Sequence, residues 1–368
     1  MNMKCLRLRS ALYRTAAAAG VGVVLITGCT TGGAASSSGH SSHKSTKIAA
    51  IAGGPNAYFS PWGPALTAAV KQFGIGSGTY EVAPTPSFDL TVENATVNSL
   101  VSNGANAVMV YPDGVSGPNA ELKELANRGV QSIVVGACVQ TPSPSQLCLA
   151  TDTGAEAYDA TEDLIHAIGG KGNIAFLTGA LSDPNTALRE QNVEKAVAQT
   201  NGKVHLVQVV SNVDSPTAAP PAVQSLLAAK GSQLQGILST NYNPSTALAA
   251  AVIAHPQYRN IKIIGIDNNP TVVTAVKDGY MYGTVFQNSY GTVYVGAEIL
   301  KKLVTDGCTV NPNGPFTHTG STDRLINIGS TLVTQSNISQ YASGVENLPQ
   351  MTQAVLASMP KYLNCPKA

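Results

Sequence analysis

From residue 46 onward, short apolar runs alternate with longer segments in which apolar residues recur every three or four positions. The runs have strand length and end in Gly, Pro or Asn, whereas the periodic segments carry the spacing of one helix face. Strands that alternate with helices predict βαβ units and parallel sheets covered by helices on both faces. The predicted strands are KIAAIA (47–52), TYEVA (79–83), AVMVY (107–111), SIVVG (132–136), IAFLTG (174–179), VHLVQVV (204–210), GILST (236–240), IKIIGI (261–266) and GTVFQ (283–287).

The number of these units predicts two lobes. About nine units are too many for one compact sheet, and 368 residues are enough for about two domains. We therefore expect an α/β fold of two doubly wound parallel-sheet lobes. Hydrophobic residues make up 43% of the chain and charged residues 12%, with a formal net charge of +1. That composition supports real cores and disfavours disordered and nucleic-acid-binding chains.

The N-terminal 28 residues have the pattern of a lipoprotein signal peptide. A basic stretch without acids is followed by an apolar run at 15–27, which is too short to span a bilayer. Ile26-Thr27-Gly28-Cys29 then resembles the bacterial lipobox, which implies cleavage before Cys29 and acylation of that residue. Residues 29–45 have the Ser/Gly composition of a tether. We expect a lipid anchor on the extracytoplasmic face of the cell membrane; an ordinary secretory signal is the alternative.

Export permits disulfide bonds among the cysteines that remain after Cys5 leaves with the signal and Cys29 takes the lipid. Four cysteines allow three pairings. Closeness in sequence favours a bridge between the two cysteines that flank VQTPSPSQL, which leaves a second bridge to the C-terminal tail. A zinc site is disfavoured because the sequence has no CxxC and no nearby histidine. The expected pairs are Cys138–Cys148 and Cys308–Cys365.

No catalytic signature stands out. The sequence has no GxSxG, HExxH or GxxxxGK[ST], and its six histidines are scattered. We therefore expect neither an enzyme nor a bound cofactor or metal.

Polar and aromatic residues instead follow several predicted strands. In open α/β sheets, ligands bind beyond the carboxyl ends of the strands. Amides, carboxylates and a guanidinium suit sugar hydroxyls, which both donate and accept, and aromatic rings suit the C–H face of a sugar. The sequence therefore predicts a carbohydrate pocket. The candidate ligand residues are Asn56, Tyr58, Phe59, Trp62, Asp113, Arg189, Asn241, Asn243, Asp267 and Gln287.

Residues 46 to about 305 resemble the type I periplasmic binding proteins of sugar ABC transporters, the ribose-binding-protein group. The resemblance rests on five motifs in the family's order. In that family, the residues matching Asn56, Arg189, Asp267 and Gln287 bind the sugar, and aromatic rings stack on it. The motifs are NAYF (56–59), Arg189 in RxxNV, NPSTALAAA (243–251), IIGID (263–267) and GTVFQN (283–288).

The resemblance implies a monomeric solute-binding protein that captures a small sugar or polyol and delivers it to an ABC permease. Three crossings, near Asp152, near Gln287 and after about Thr322, would join the lobes. The expected domains are residues 46–151 plus 288–320 for the first lobe, and 152–287 plus 321–368 for the second lobe and tail. Gly136-Ala137 stands where the family often has Asp-Arg, which leaves the ligand's identity open and makes Asp113 a substitute contact.

Several of these interpretations have alternatives. Asn243 also fits a helix cap before Pro244, with Asn241 as the rival ligand residue, and Asp267 also fits a cap of the next helix. Arg189 could lie on the surface. At least one ring of the 58–62 cluster should belong to the core. For the function, the alternatives are a ligand-sensing lipoprotein that reports to a membrane receptor, an enzyme on the same scaffold, and binding of a non-sugar metabolite.

Overall fold

The computed structural model of the protein describes residues 45–84, 89–320, 322–341 and 347–366. The predicted signal peptide (1–28), the tether up to residue 44 and the lipidation site Cys29 lie outside the described residues. Within those described ranges, no helix combines the length and the apolar character needed to cross a membrane.

The described residues form strands and helices that alternate along most of the chain, and each predicted strand is present. The strands are β1 (Lys47–Ala52), β2 (Ser77–Val82), β3 (Ala107–Val110), β4 (Gln131–Val135), β5 (Cys148–Ala150), β6 (Gly172–Leu177), β7 (Val204–Val210), β8 (Gly236–Ser239), β9 (Lys262–Ile266), β10 (Gly283–Gln287), β11 (Thr309–Val310), β12 (Thr317–Thr319), β13 (Thr322–Asn327), β14 (Ser330–Thr334) and β15 (Leu363–Asn364). The helices are α1 (Trp62–Phe73), α2 (Leu90–Ser102), α3 (Pro118–Asn127), α4 (Thr153–Ala167), α5 (Pro184–Ala198), α6 (Ala219–Lys230), α7 (Tyr242–Ala254), α8 (Pro270–Lys277), α9 (Ser289–Val304) and α10 (Pro349–Ser358).

Two large sheets define two lobes, which confirms the predicted fold class. The first sheet has the order β12-β13-β5-β4-β3-β1-β2, and the second has the order β14-β10-β9-β8-β6-β7. Both are parallel except at one edge, where β12 pairs antiparallel with β13 and β14 pairs antiparallel with β10. Those antiparallel edges were not predicted, because their sequences are polar and lack the apolar runs of the central strands.

Each sheet is covered on both faces, as its apolar strands predict. In the first lobe, Met109 and Ile133 face a core that contains Val293 of α9. Their neighbours in sequence, Val108 and Val134, face the opposite core, beneath α2 and α3. This alternation is the two-residue period of a strand, and it leaves the carboxyl ends of the strands as the open edge of the lobe.

The chain passes between the lobes at three places that are hydrogen-bonded to one another. Thr151 Oγ1 donates to the carbonyl of Gly329 at 3.3 Å, and Asn288 Nδ2 donates to the carbonyl of Ile328 at 3.2 Å. The first crossing follows β5 and the second follows β10. The third lies later than expected, between β13 and β14, because β13 still belongs to the first sheet.

The C-terminal tail, much of which we expected to belong to the second lobe, divides between the lobes. Ile338 and Leu348 enter the core of the second lobe. Helix α10 packs against α9, and β15 pairs with β11, so the last residues return to the first lobe. The disulfides Cys138–Cys148 and Cys308–Cys365 form as predicted, and the second fastens this returning tail.

Candidate ligand-binding site

A cleft between the lobes collects polar and aromatic side chains at the carboxyl ends of the strands. The first lobe supplies one wall and the second lobe supplies most of the charged groups. The residues that line the cleft are Asn56, Tyr58, Phe59, Tyr111, Gly136, Asp183, Asn185, Arg189, Asp214, Thr240, Asn241, Tyr242, Asp267 and Gln287. Seven of the ten predicted ligand residues are among them; Trp62, Asp113 and Asn243 are not.

Aromatic rings form the first-lobe wall, which explains why so many rings follow β1. Phe59 makes edge-to-face contacts with Tyr58, Trp62 and Tyr111, with ring centroids 5.2, 4.9 and 5.1 Å apart. Trp62 itself is fully buried behind this wall, where its Nε1 donates to Ser289 Oγ at 3.1 Å. The prediction that Trp62 contacts ligand is therefore corrected: its indole supports the wall from within the core.

Asn56 caps the short 3₁₀ turn that carries the wall. Its Oδ1 accepts from the Tyr58 amide at 3.0 Å, and its Nδ2 donates across the cleft to Asp214 Oδ2 at 3.0 Å. The cap fixes the start of the turn. Asn56 therefore lines the cleft, as predicted, and also bridges the two lobes.

Arg189 is a buried cation in the second-lobe wall. It is 4% exposed, and its Nε has no hydrogen-bond partner within the part of the chain that the structure describes. Burial alone would lower the pKa of Arg189, but the negative charges of Glu156, Asp183 and Asp267 outweigh that effect, so its pKa is raised. A buried donor without a partner is costly, and a ligand oxygen would satisfy it. The alternative that Arg189 lies on the surface is excluded.

Asp267 points into the cleft from a left-handed backbone conformation at the end of β9. Its φ is +66°, which few residues other than Gly, Asn and Asp adopt. Thr284 Oγ1 holds its carbonyl at 2.9 Å, and Gln287 Nε2 donates to its Oδ1 at 3.1 Å. Asn269, rather than Asp267, caps α8. The cap interpretation of Asp267 is therefore wrong, and its carboxylate is a lining group.

Helix α7 begins two residues earlier than its Asn-Pro sequence suggests, which decides between the two candidate asparagines. Asn241 precedes the helix and lines the cleft. Asn243 lies within the first turn, outside the lining, and its backbone amide and Nδ2 donate to Asp214 Oδ1 at 3.0 and 2.9 Å. Asn243 therefore hydrogen-bonds to Asp214 instead of lining the cleft. Its assignments as a lining residue and as the helix cap are corrected.

Tyr111 occupies the space beside Gly136. The Tyr111 hydroxyl donates to Asp183 Oδ1 at 3.0 Å and accepts from Asn185 Nδ2 at 3.2 Å. Gly136 has φ +75°, and a Cβ there would lie 2.8 Å from Tyr111 Cδ2. A side chain at position 136 would thus collide with the ring. Burial raises the pKa of Asp183, and Arg189 opposes that rise.

Asp113 lies outside the lining, in a carboxyl cluster within the first lobe. Its backbone amide donates to Glu93 Oε2, and both of its carboxyl oxygens are buried. Burial raises the pKa of Asp113 to about 7 and that of Glu93 to about 9. The expectation that Asp113 replaces the missing Asp-Arg pair is corrected; Tyr111 fills that place in the cleft.

Several lining residues were not predicted, notably Tyr111, Asp183, Asn185, Asp214 and Tyr242. Tyr111 is the last residue of AVMVY, and Asp214 follows VHLVQVV. The rule that ligands meet the carboxyl ends of strands points to both loops. Throughout the described ranges, no group of three or more His, Cys, Asp or Glu residues could hold a metal ion.

The fold and the cleft define a two-lobed binding protein. The sequence matches the family model of the periplasmic binding protein domain over residues 50–307, and the chain belongs to that family, in its type I form. The family consists of substrate-binding proteins rather than enzymes.

Known relatives agree with this assignment. The xylitol-binding protein of Mycolicibacterium smegmatis is 23% identical over 278 residues, which cover 72% of this chain and 79% of the relative. An ABC transporter solute-binding protein from Burkholderia graminis, solved with D-arabinose, is 17% identical with a TM-score of 0.70, covering 81% of this chain and 98% of that one. One from Agrobacterium vitis, solved with D-fucose, is 20% identical with a TM-score of 0.70, covering 81% and 99%. At these identities, the solved structures show the fold alone.

Proposed function

We propose that this protein captures a small neutral sugar or polyol between its lobes and delivers it to an ABC permease, as a monomeric lipoprotein on the extracytoplasmic face of the membrane. The observation that carries the ligand class is Arg189, a buried guanidinium whose Nε lacks a partner in the described residues and which stands among cleft carboxylates. A hydroxyl-rich ligand can hydrogen-bond to both the guanidinium and the carboxylates, because a hydroxyl accepts from Arg and donates to Asp.

The lining supports the same class from its composition. Asp267, Gln287 and Asn241 supply acceptors and donors on the second lobe, and Tyr58 and Phe59 supply flat apolar faces on the first. This pairing suits a molecule with hydroxyls on its edges and C–H groups on its faces. The names of the relatives point the same way, since one is a xylitol-binding protein and others were solved with D-arabinose and D-fucose.

The charge of the cleft supports a neutral ligand. Three lining carboxylates, Asp183, Asp214 and Asp267, face one guanidinium, that of Arg189. An anionic ligand such as a sugar phosphate or a sugar acid would add repulsion in a partly dehydrated site. We therefore expect sugar acids to bind more weakly than the corresponding neutral polyols.

Delivery to a permease and the lipid anchor rest on the family and on the N-terminal sequence, in which Cys29 follows a lipobox-like segment and precedes a Ser/Gly tether. Delivery can be tested by uptake of the labelled ligand in cells that lack this protein. We expect uptake at low ligand concentration to fall and to return when the wild-type chain is supplied. Unchanged uptake, with binding intact, would favour the sensing alternative.

Ligand binding is tested by a thermal-shift screen with xylitol, D-arabinose and D-fucose, followed by calorimetry. A ligand at about 100 times its Kd should stabilise the protein by about 2.7 kcal/mol. Arg189→Lys keeps the charge but loses the planar fork of donors, so it should weaken binding at least about tenfold. Exposed Arg259→Lys is the matched control. The proposal would be contradicted if no neutral sugar or polyol bound the wild-type protein. It would also be contradicted if Arg189→Lys bound the ligand as tightly as the wild type does.

A further inference from the structure

We propose that Asp214 is a positioning residue that closes the two lobes over the ligand by gathering amide donors from both sides of the cleft. The inference rests on the proposed function, since it concerns how the same cleft captures its ligand. It assigns a role to a residue that no sequence motif singled out.

The Asp214 carboxylate accepts four hydrogen bonds from three asparagines. Its Oδ2 accepts from Asn56 Nδ2 at 3.0 Å and from Asn241 Nδ2 at 3.1 Å. Its Oδ1 accepts from the Asn243 backbone amide at 3.0 Å and from Asn243 Nδ2 at 2.9 Å. Asn56 follows β1 of the first lobe, whereas the other three residues belong to the second lobe. One of the four bonds therefore joins the lobes, and three lie within the second lobe.

A carboxylate can only accept, so it fixes which way each amide faces. Asn56 must turn its Nδ2 toward Asp214, and this agrees with its Oδ1, which accepts from the Tyr58 amide at 3.0 Å. Asn241 must likewise turn its Nδ2 toward Asp214. Asn241 is thus held in one orientation before a ligand reaches it, and Asn56 is held once the lobes approach, which reduces the entropy lost on binding.

The bond between Asn56 and Asp214 forms only when the lobes approach, and it needs no ligand atom. It therefore raises the fraction of molecules that are closed and competent to hold the ligand. The apparent Kd equals the intrinsic Kd divided by that fraction. Removal of the bond should thus raise the apparent Kd by the same factor by which the closed fraction falls. A charge-assisted hydrogen bond of ordinary strength corresponds to a factor of about ten.

The experiment measures closure and affinity separately in the full chain. Dyes at Lys123→Cys on α3 and Ser225→Cys on α6, exposed positions of the first and second lobes, report the closed fraction by single-molecule energy transfer. Calorimetry with xylitol and the sugars named above gives Kd. The variants are Asp214→Ala and Asn56→Asp. The second keeps an oxygen to cap the Tyr58 amide but places a carboxylate against Asp214. Exposed Asp159→Ala is the matched control.

We expect both variants to lower the closed fraction measured without ligand about tenfold and to raise Kd by the same factor, whereas Asp159→Ala changes neither. A Kd that rises while the closed fraction stays constant would reduce Asp214 to a local contact and overturn the inference. Tighter ligand binding by either variant would show that the bond between Asn56 and Asp214 competes with the ligand. That result would also overturn the inference. If the wild type binds none of these compounds, the proposed function fails, but the closed fractions still decide whether Asp214 holds the lobes together.

Discussion

The hydroxyl oxygen of Tyr111, on the first lobe, lies 3.0 Å from Oδ1 of Asp183, which caps α5 on the second lobe. Both residues are buried. The bond crosses the cleft at a different place from the bond between Asn56 and Asp214. Hydrogen bonds thus join the lobes across the cleft at both of these places, and each place can be tested by a single substitution.

Tyr111→Phe should weaken ligand binding by about five- to tenfold, because the ring stays against Gly136 and Phe59 while the hydroxyl's bonds to Asp183 and from Asn185 Nδ2 are lost. The folding stability should change less than the affinity, because Asp183 keeps the bond from the Asn185 amide at 2.9 Å. Calorimetry and thermal denaturation measure the two effects. Unchanged affinity would mean that the hydroxyl has no role in closure.

Glu93→Gln should flatten the pH dependence of stability. Glu93 is buried near Asp113 and Glu121, and its pKa is raised to about 9. The folded state therefore holds a proton that the unfolded state releases above its ordinary pKa near 4.5. Stability is full below that lower value and falls as the pH rises toward the folded pKa.

As the pH rises, Glu93 can lower the free energy of unfolding by at most about 1.4 kcal/mol per pH unit. Gln keeps the oxygen that accepts from the Asp113 amide and carries no proton to lose. Denaturant melts at pH 5 and pH 8 should therefore differ less for Glu93→Gln than for the wild type. Asp113 still titrates in the variant, so some slope remains. An identical slope in both proteins would show that Glu93 does not hold its proton.

Removal of Cys308–Cys365 by paired substitution to Ser should destabilise the protein by about 2–4 kcal/mol. This bridge closes a segment with a sequence separation of 57 and fastens β15 to the first lobe. We also expect faster proteolysis of the tail beyond α10 in this variant. The matched control is the pair Cys138→Ser and Cys148→Ser, which opens a separation of 10 and should leave the tail protected. Equal proteolysis of the tail in both variants would contradict this role.

Cys29→Ala should release the protein from the membrane fraction, because acylation at this residue is the expected anchor. The tested feature is Ile26-Thr27-Gly28-Cys29, followed by the Ser/Gly tether. Fractionation of cells that express the wild type and the variant measures the release. Retention of the variant in the membrane would show that the apolar segment 15–27 is itself the anchor.

The fold was predictable because the central strands are buried on both faces, so their sequences are continuous apolar runs such as IKIIGI and AVMVY. The edge strands were not predictable on that basis. Thr317–Thr319 and Ser330–Thr334 are polar, and only their antiparallel partners make them strands. The tail was misassigned for the same reason, since its place depends on long-range pairing rather than on local periodicity.

The site was predictable loop by loop rather than residue by residue. Strand ends indicate which loops meet at the cleft, but the side chain that turns inward depends on local geometry. Asn241 lines the cleft and Asn243 does not, because α7 starts at Tyr242. Asp214 was missed because its hydrogen-bond partners are three asparagines distant in sequence. Trp62 was misplaced because rings in one cluster form both the wall and its support.

The central claim is that the charged second-lobe wall binds a neutral polyhydroxylated ligand, and Asp267→Asn tests it most directly. Asn tolerates the left-handed backbone at this position and keeps an oxygen for Gln287, so the substitution removes the charge and one acceptor oxygen. Calorimetric titration with the ligand found by the thermal screen should show a loss of about 1.5–3 kcal/mol in binding free energy. The melting temperature without ligand should change little. Equal affinity of wild type and Asp267→Asn would contradict the account.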